Sequence, residues 1–142
     1  MLGLLLGLAV SFQIPSAKID VPLYYSHEQS VCDAKNSACF YNSSENNVDF
    51  LLDNWIIADH RTQDFKTLYK VEAGDTAYII NDDGSVLNLE CIEVCEGTVD
   101  EYGYIYVDND YMENRYEDVY IAYTCKKQKD KRLITYWKEI EE

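Results

Sequence analysis

Basic residues are scarce in this chain: 12 Lys and Arg stand against 26 Asp and Glu, for a formal net charge of −14. Phosphate recognition needs a basic footprint, so nucleic acid is excluded as a main partner. Proline and glycine are also few, with two and six residues. No Pro/Gly-rich linker, internal repeat or low-complexity tract divides the 142 residues, and one domain is expected. A chain of this length buries about 68–70% of its unfolded surface, so it needs no disulfides merely to fold. Long apolar runs are missing too. Met1–Val10 is hydrophobic but short of the ~20 residues that span a bilayer, and no Lys or Arg precedes it as a leader requires. The expectation is a hydrophobic stub over residues 1–10, the remnant of an anchor or leader, ahead of a single domain over residues 11–142. The alternative is a first helix or strand packed on that domain.

What is present reads mainly as β. The apolar stretches are short and rich in Ile, Val, Tyr and Phe, the residues that suit strands. Ser11–Ile14, Ile19–Tyr25, Trp55–Asp59, Thr76–Ile80, Ser85–Val94, Val119–Thr124 and Leu133–Trp137 are the candidate strands. Asn81-Asp82-Asp83-Gly84 between two of them is a hairpin signal. Phe65–Val71 reads as a short amphipathic helix with Phe65, Leu68 and Tyr69 on one face, and Val48–Asp53 as a helical turn. Residues 31–48 read as a polar loop, and Gly97–Glu117 as a long acidic, Tyr-rich connection. Seven or eight strands with one or two short helices are best accommodated in a closed or nearly closed β-barrel, which removes exposed edges.

Charge is unevenly placed. Ten acidic residues and one basic residue, Arg115, lie between Glu90 and Asp118, whereas five of the seven residues from Lys126 to Arg132 are basic. The five cysteines are Cys32, Cys39, Cys91, Cys95 and Cys125. An odd count allows two bridges and one thiol, or one bridge and three thiols. Cys91 and Cys95 lie in one strand, where four residues span about 13 Å, too far for a disulfide. They read as small buried hydrophobes. Cys32 and Cys39 flank a polar loop and are able to close a small ring.

Cys125 differs from the others. It ends an apolar strand and is followed by Lys126, Lys127, Lys129, Lys131 and Arg132, and cationic surroundings favour the nucleophilic thiolate. Of the two histidines, His27 lies in a hydrophilic segment and reads as solvated, whereas His60 ends the strand Trp55–Asp59, a rigid support for a reactive side chain. Arg132 opens the last strand, where its fork of donors suits a developing oxyanion. Taken singly, His60 has a strand cap as its alternative reading, and an Arg at position 132 is more often a surface charge.

Three ordered blocks carry a family resemblance: Phe12-Gln13-Ile14-Pro15-Ser16-Ala17-Lys18-Ile19-Asp20-Val21-Pro22-Leu23-Tyr24; the strand ending in His60 followed by Phe65–Leu68 and Gly74-Asp75; and Thr124-Cys125 followed by Arg132. In this order they resemble the sortases, cysteine transpeptidases of Gram-positive bacteria, over most of residues 12–138. The resemblance implies an eight-stranded barrel with short helices. It implies Cys125 as nucleophile, His60 as general acid/base and Arg132 as oxyanion or substrate stabiliser. The partners would be a sorting-signal peptide of secreted proteins and an amine on peptidoglycan or a surface protein. The setting would be the extracellular face of the bacterial membrane, with an N-terminal anchor. No cofactor and no metal is expected. The chain departs from the family in Tyr120-Ile121-Ala122-Tyr123 before Thr-Cys, in Asp59 where glycine is frequent, and in a short Cys125–Arg132 loop.

Three other readings compete. Cys32, Cys39, Cys91 and Cys95 offer zinc ligands, at spacings unlike the usual paired knuckles. Asp108-Asn109-Asp110 begins like a calcium loop, but Met112 and Glu113 occupy positions that call for an oxygen ligand and glycine. A sortase-like barrel without turnover, acting as a surface binding or assembly module, is the third.

Overall fold

The short Ile-, Val- and Tyr-rich runs form strands that close on themselves. In a computed structural model, residues 9–26, 28, 30, 37–46, 50–60 and 64–140 are described. They contain β1 (Ala9–Ile14), β2 (Ile19–Tyr25), β3 (Ala38–Asn42), β4 (Trp55–Ala58), β5 (Thr76–Asn81), β6 (Val86–Val99), β7 (Ile105–Val107), β8 (Asp110–Tyr111), β9 (Tyr120–Cys125) and β10 (Lys131–Glu139). Neighbours run β6-β10-β9-β4-β3-β2-β1-β5 and back to β6, so eight strands make a closed barrel. The β2–β3 and β4–β9 pairs are parallel. β7 and β8 form a hairpin on the far end of β6.

Two apolar clusters follow from side-chain alternation. The barrel interior holds Phe12, Ile14, Phe40, Ile57, Ile79, Leu89, Tyr120, Ala122 and Trp137. Trp137 packs edge-on to Phe12 at 6.2 Å between centroids. Its indole N–H donates to Thr135 Oγ1 at 2.7 Å, and the Thr135 hydroxyl donates to Ala122 O at 2.7 Å. The second cluster lies outside the barrel wall: Ile56, Ile121, Ile134 and Tyr136 are covered by Ile105, Val107, Met112 and Val119. β9 is therefore buried on both faces, which explains why its sequence is an unbroken apolar run and not an alternation.

The cover over the second cluster is fastened at several points. Arg115 grips Glu93 with Nε at 2.6 Å and Nη2 at 2.9 Å, and Asp108 with Nη1 at 2.9 Å. The buried Asn54 amide donates to the Glu113 and Tyr116 carbonyls at 2.8 and 2.7 Å and accepts the Val119 N–H at 2.9 Å. Tyr136 donates its hydroxyl to Met112 O at 2.9 Å.

Several expectations are revised by this arrangement. The segment after His60 is a 3₁₀ turn over Asp64–Lys70, not an amphipathic helix. Three residues per turn put Phe65 and Leu68 on one side, and Tyr69 is 68% exposed. The other turn lies at Ser43–Asn46, started by Asn42 Oδ1 accepting the Ser44 N–H and hydroxyl at 3.0 and 2.7 Å. Residues 50–53 are irregular, and residues 47–49 lie outside the described set. The acidic connection contains the end of β6, the β7–β8 hairpin and a 3₁₀ turn at Met112–Asn114. Asp108 and Asn109 have φ of 52° and 71°, as a hairpin with both central residues left-handed requires, so Asp108-Asn109-Asp110 is a turn. Ala9 and Val10 stand in β1; residues 1–8 lie outside the described set. Among the described residues no helix is long and apolar enough to cross a membrane.

Gly97 in β6 lies tight against β10 and β7. A Cβ there would meet Ile134 Cδ1 at 2.5 Å and Tyr106 O at 2.9 Å. Gly97→Ala is expected to cost about 1–3 kcal/mol by overpacking, read as a lower urea midpoint at unchanged slope.

Candidate active site

Cys125 is the last residue of β9, and Arg132 is its cross-strand partner in β10. The Lys126 N–H donates to Lys131 O at 3.1 Å, which makes that couple the hydrogen-bonded one at the mouth of the hairpin. Cys125 and Arg132 are then a non-hydrogen-bonded couple, the kind whose side chains stand closest, and both point to the same face. That face is the outer one, shared with Ile121 and Ile134. The Arg132 Nη1 donates to the Lys129 and Lys131 carbonyls, each at 2.9 Å. These bonds hold the guanidinium at the loop and leave its other nitrogens outside them.

On the opposite side of β9 runs β4, parallel and in register from Trp55↔Tyr120 to Ala58↔Tyr123. The ladder ends there, and His60 lies two residues further along the chain. The Thr124 hydroxyl donates to Asp59 O at 2.6 Å and ties the two strand ends together beyond the ladder. Side-chain alternation puts Ile56 and Ala58 on the outer face, in line with Ile121, Tyr123 and Cys125. Of the three residues singled out from the sequence, Cys125 and Arg132 are therefore paired across β9 and β10, and His60 follows the end of β4, the strand on the other side of β9. Each is partly exposed. His27 lies outside the described residues.

Asp59 and the residues beneath Cys125 carry no motif and are visible only in the structure. The buried Asp59 accepts the His60 N–H on Oδ1 at 2.8 Å and the Asp64 N–H on Oδ2 at 3.1 Å. Desolvation pushes its carboxyl up to about 6, against the lowering effect of these N–H groups. Below Cys125, the Tyr123 hydroxyl is hydrogen-bonded to that of Tyr41, and burial raises both. Tyr123 also feels the charges of Glu113, Arg132 and Cys125. Glu113 is 5% exposed, and its Oε1 is buried without a hydrogen-bond partner.

The cationic setting of Cys125 is thinner than the run of lysines implies. The ammonium of Lys126 turns across β10 to Glu96 at 2.8 Å. Glu96 lines an open depression of about 520 Å³ with Thr98, Tyr106, Asp108 and Asn109.

The remaining cysteines are distributed around the barrel. Cys39 is disulfide-bonded, Cys91, Cys95 and Cys125 are free thiols, and Cys32 lies outside the described residues. An irregularity in the β6–β10 pairing at Tyr136/Trp137 turns Cys91 into the interior and Cys95 to the outer face. Among the described residues no three His, Cys, Asp or Glu side chains gather to hold a metal ion.

No protein-family model and no curated protein matches the chain. Solved structures do. The chain is similar to sortase E1 from Streptomyces coelicolor, solved with a tripeptide in its active site, at 15% identity and a TM-score of 0.70, over 95% of this chain and 89% of that one. It is similar to Streptococcus pneumoniae sortase C at 18% identity and a TM-score of 0.68, over 94% of this chain and 69% of that one. Sortase A from Corynebacterium diphtheriae gives 15% identity and a TM-score of 0.66, over 95% of this chain and 61% of that one. The fold is sortase-like.

Glu113 yields a test of the electrostatics. Burial pushes its carboxyl from 4.5 up to about 7, so the folded state holds a proton that the unfolded state has released. Stability therefore falls as pH rises from about 4.5 through 7. Glu113→Gln is expected to stabilise the protein by roughly 3 kcal/mol at pH 8 and by little at pH 4.5, measured by urea unfolding at the two pH values.

Proposed function

We propose that the chain is a cysteine transpeptidase of the sortase type. It would cleave a sorting signal in secreted proteins and transfer the acyl group to an amine on the cell wall or on a surface protein. One observation carries the reading: Cys125 faces Arg132 across β9–β10, while β4, two residues before His60, ends beside the same strand end. The proposed setting is the extracellular face of the bacterial membrane, where sortases act.

In the proposed reaction the Cys125 thiolate attacks the scissile carbonyl carbon, and the carbonyl electron pair moves to oxygen. Arg132, fixed through Nη1, stabilises that oxyanion with its remaining donors. His60, as imidazolium, gives a proton to the departing amine, the C–N bond breaks and a thioester forms. The incoming amine then attacks the thioester and loses a proton to His60. Collapse forms the new amide and returns the Cys125 thiolate. Water in place of the amine gives hydrolysis.

A sorting-signal peptide library, incubated with the protein with and without an amine acceptor, is the test. Wild type is expected to form a thioacyl adduct on Cys125 detectable by intact mass, and Cys125→Ala none. His60→Ala and Arg132→Ala are expected to lower turnover by about 10²–10⁴-fold. A wild-type protein with neither adduct nor cleavage would overturn the enzyme reading in favour of a sortase-like barrel without turnover.

A further inference from the structure

We propose that Asp59 is a positioning residue that holds His60 at the level of Cys125, an inference that rests on the transpeptidase reading above. The β4–β9 ladder ends at Ala58↔Tyr123, so His60 stands beyond the last paired residue of its strand. Its backbone is instead tied through Asp59. One carboxylate oxygen accepts the His60 N–H at 2.8 Å and the other the Asp64 N–H at 3.1 Å. The Asp59 carbonyl meanwhile accepts the hydroxyl of Thr124, the residue before Cys125, at 2.6 Å. One residue thus bonds to the imidazole-bearing residue, to Asp64 and to the neighbour of the thiol.

A loop staple alone would not require a carboxylate at this depth. Asp59 is 8% exposed, and burying a charge is costly unless hydrogen bonds compensate it. Here they do so in part, since the carboxyl is raised to about 6 and remains ionised at neutral pH. The charges acting on it are Asp64, which raises it, and His60, which lowers it; from β9 it meets the Thr124 hydroxyl. Below about pH 6 the carboxyl gains a proton and loses one of its two acceptor positions. His60 is then held less firmly opposite the thiol.

The test reads Cys125 reactivity, so it needs no knowledge of the sorting signal. Iodoacetamide alkylation of the full chain is followed from pH 5 to 9, with Cys125 separated from Cys91 and Cys95 by peptide mass spectrometry. His60→Ala is expected to slow Cys125 alkylation at pH 7.5 about tenfold. Asp59→Asn, which keeps one acceptor oxygen, is expected to slow it about three- to tenfold and to flatten its pH profile below 7. The double variant is expected to be no slower than His60→Ala alone, because residues that act through one another are non-additive. Should Asp59→Asn unfold, Asp59→Gly removes both acceptors without adding bulk and carries the same expectation. Wild-type reactivity in a folded Asp59 variant, or losses that multiply with that of His60→Ala, would overturn the positioning role while leaving the Cys125–His60 pair intact. An unchanged profile in His60→Ala would overturn both.

Discussion

The structure depends on the pairing of β9 with a strand on each side. β10 holds it antiparallel and β4 parallel, and both faces are covered, with Tyr120 and Ala122 turned into the barrel and Ile121 turned out under the cover. A strand buried on both faces and bonded on both edges has little freedom to slip. A shift of one residue would exchange Tyr120 with Ile121 and move every side chain to the wrong face. The same constraint places the chemistry. Because Cys125 ends this strand, the register with β10 sets Arg132 opposite it, and β4 on the other side ends two residues before His60. The barrel closes through β10, which also pairs with β6, so no free edge lets the row open.

The acidic stretch between β6 and β9 is bound up with the same constraint. It reads as a loop carrying excess charge, yet much of that charge has a local partner. Glu93 and Asp108 clamp Arg115, and Glu96 takes Lys126. Asp100 organises the turn before β7 by accepting the Tyr102 and Tyr104 N–H groups at 2.9 and 3.0 Å. Exposed single ion pairs stabilise little, but a bidentate Arg–carboxylate fork fixes geometry. Here it fixes the cover that keeps Ile121, Ile134 and Tyr136 dry. Gly97 leaves room on β6 for the Ile134 side chain and the Tyr106 carbonyl.

Much of this was legible in the chain. β2, β5, β9 and β10 follow directly from their apolar, β-branched composition, and the Asn81–Gly84 hairpin from its turn residues, with Gly84 at φ 87°. Cys125 at the end of β9 and Arg132 near the start of β10 stand where the strand pattern put them, whereas β4 stops two residues short of His60. Three kinds of feature were not legible. The turn at Asp64–Lys70 has apolar residues at a spacing that serves α and 3₁₀ geometry almost equally, and only packing separates Leu68 from Tyr69. β7 and β8 are too short to carry a periodic signal. Asp59 and Glu113 look like ordinary surface acids among the 26 acidic residues, since burial of a single carboxyl is a property of the fold and not of its neighbours in sequence.

Those two carboxyls show where stability yields to geometry around the strand end. Both are raised by desolvation, Asp59 to about 6 and Glu113 to about 7, so each makes the folded state less stable at neutral pH than a neutral isostere would. They are not equivalent. Asp59 recovers part of its cost through two backbone N–H groups, those of His60 and Asp64. Glu113 has a buried oxygen with no partner and lies within electrostatic reach of Tyr123, beneath Cys125. Local rules are broken most often where a protein binds or reacts. In this barrel both breaches touch the residues just before Cys125 in β9, Asp59 through Thr124 and Glu113 through Tyr123.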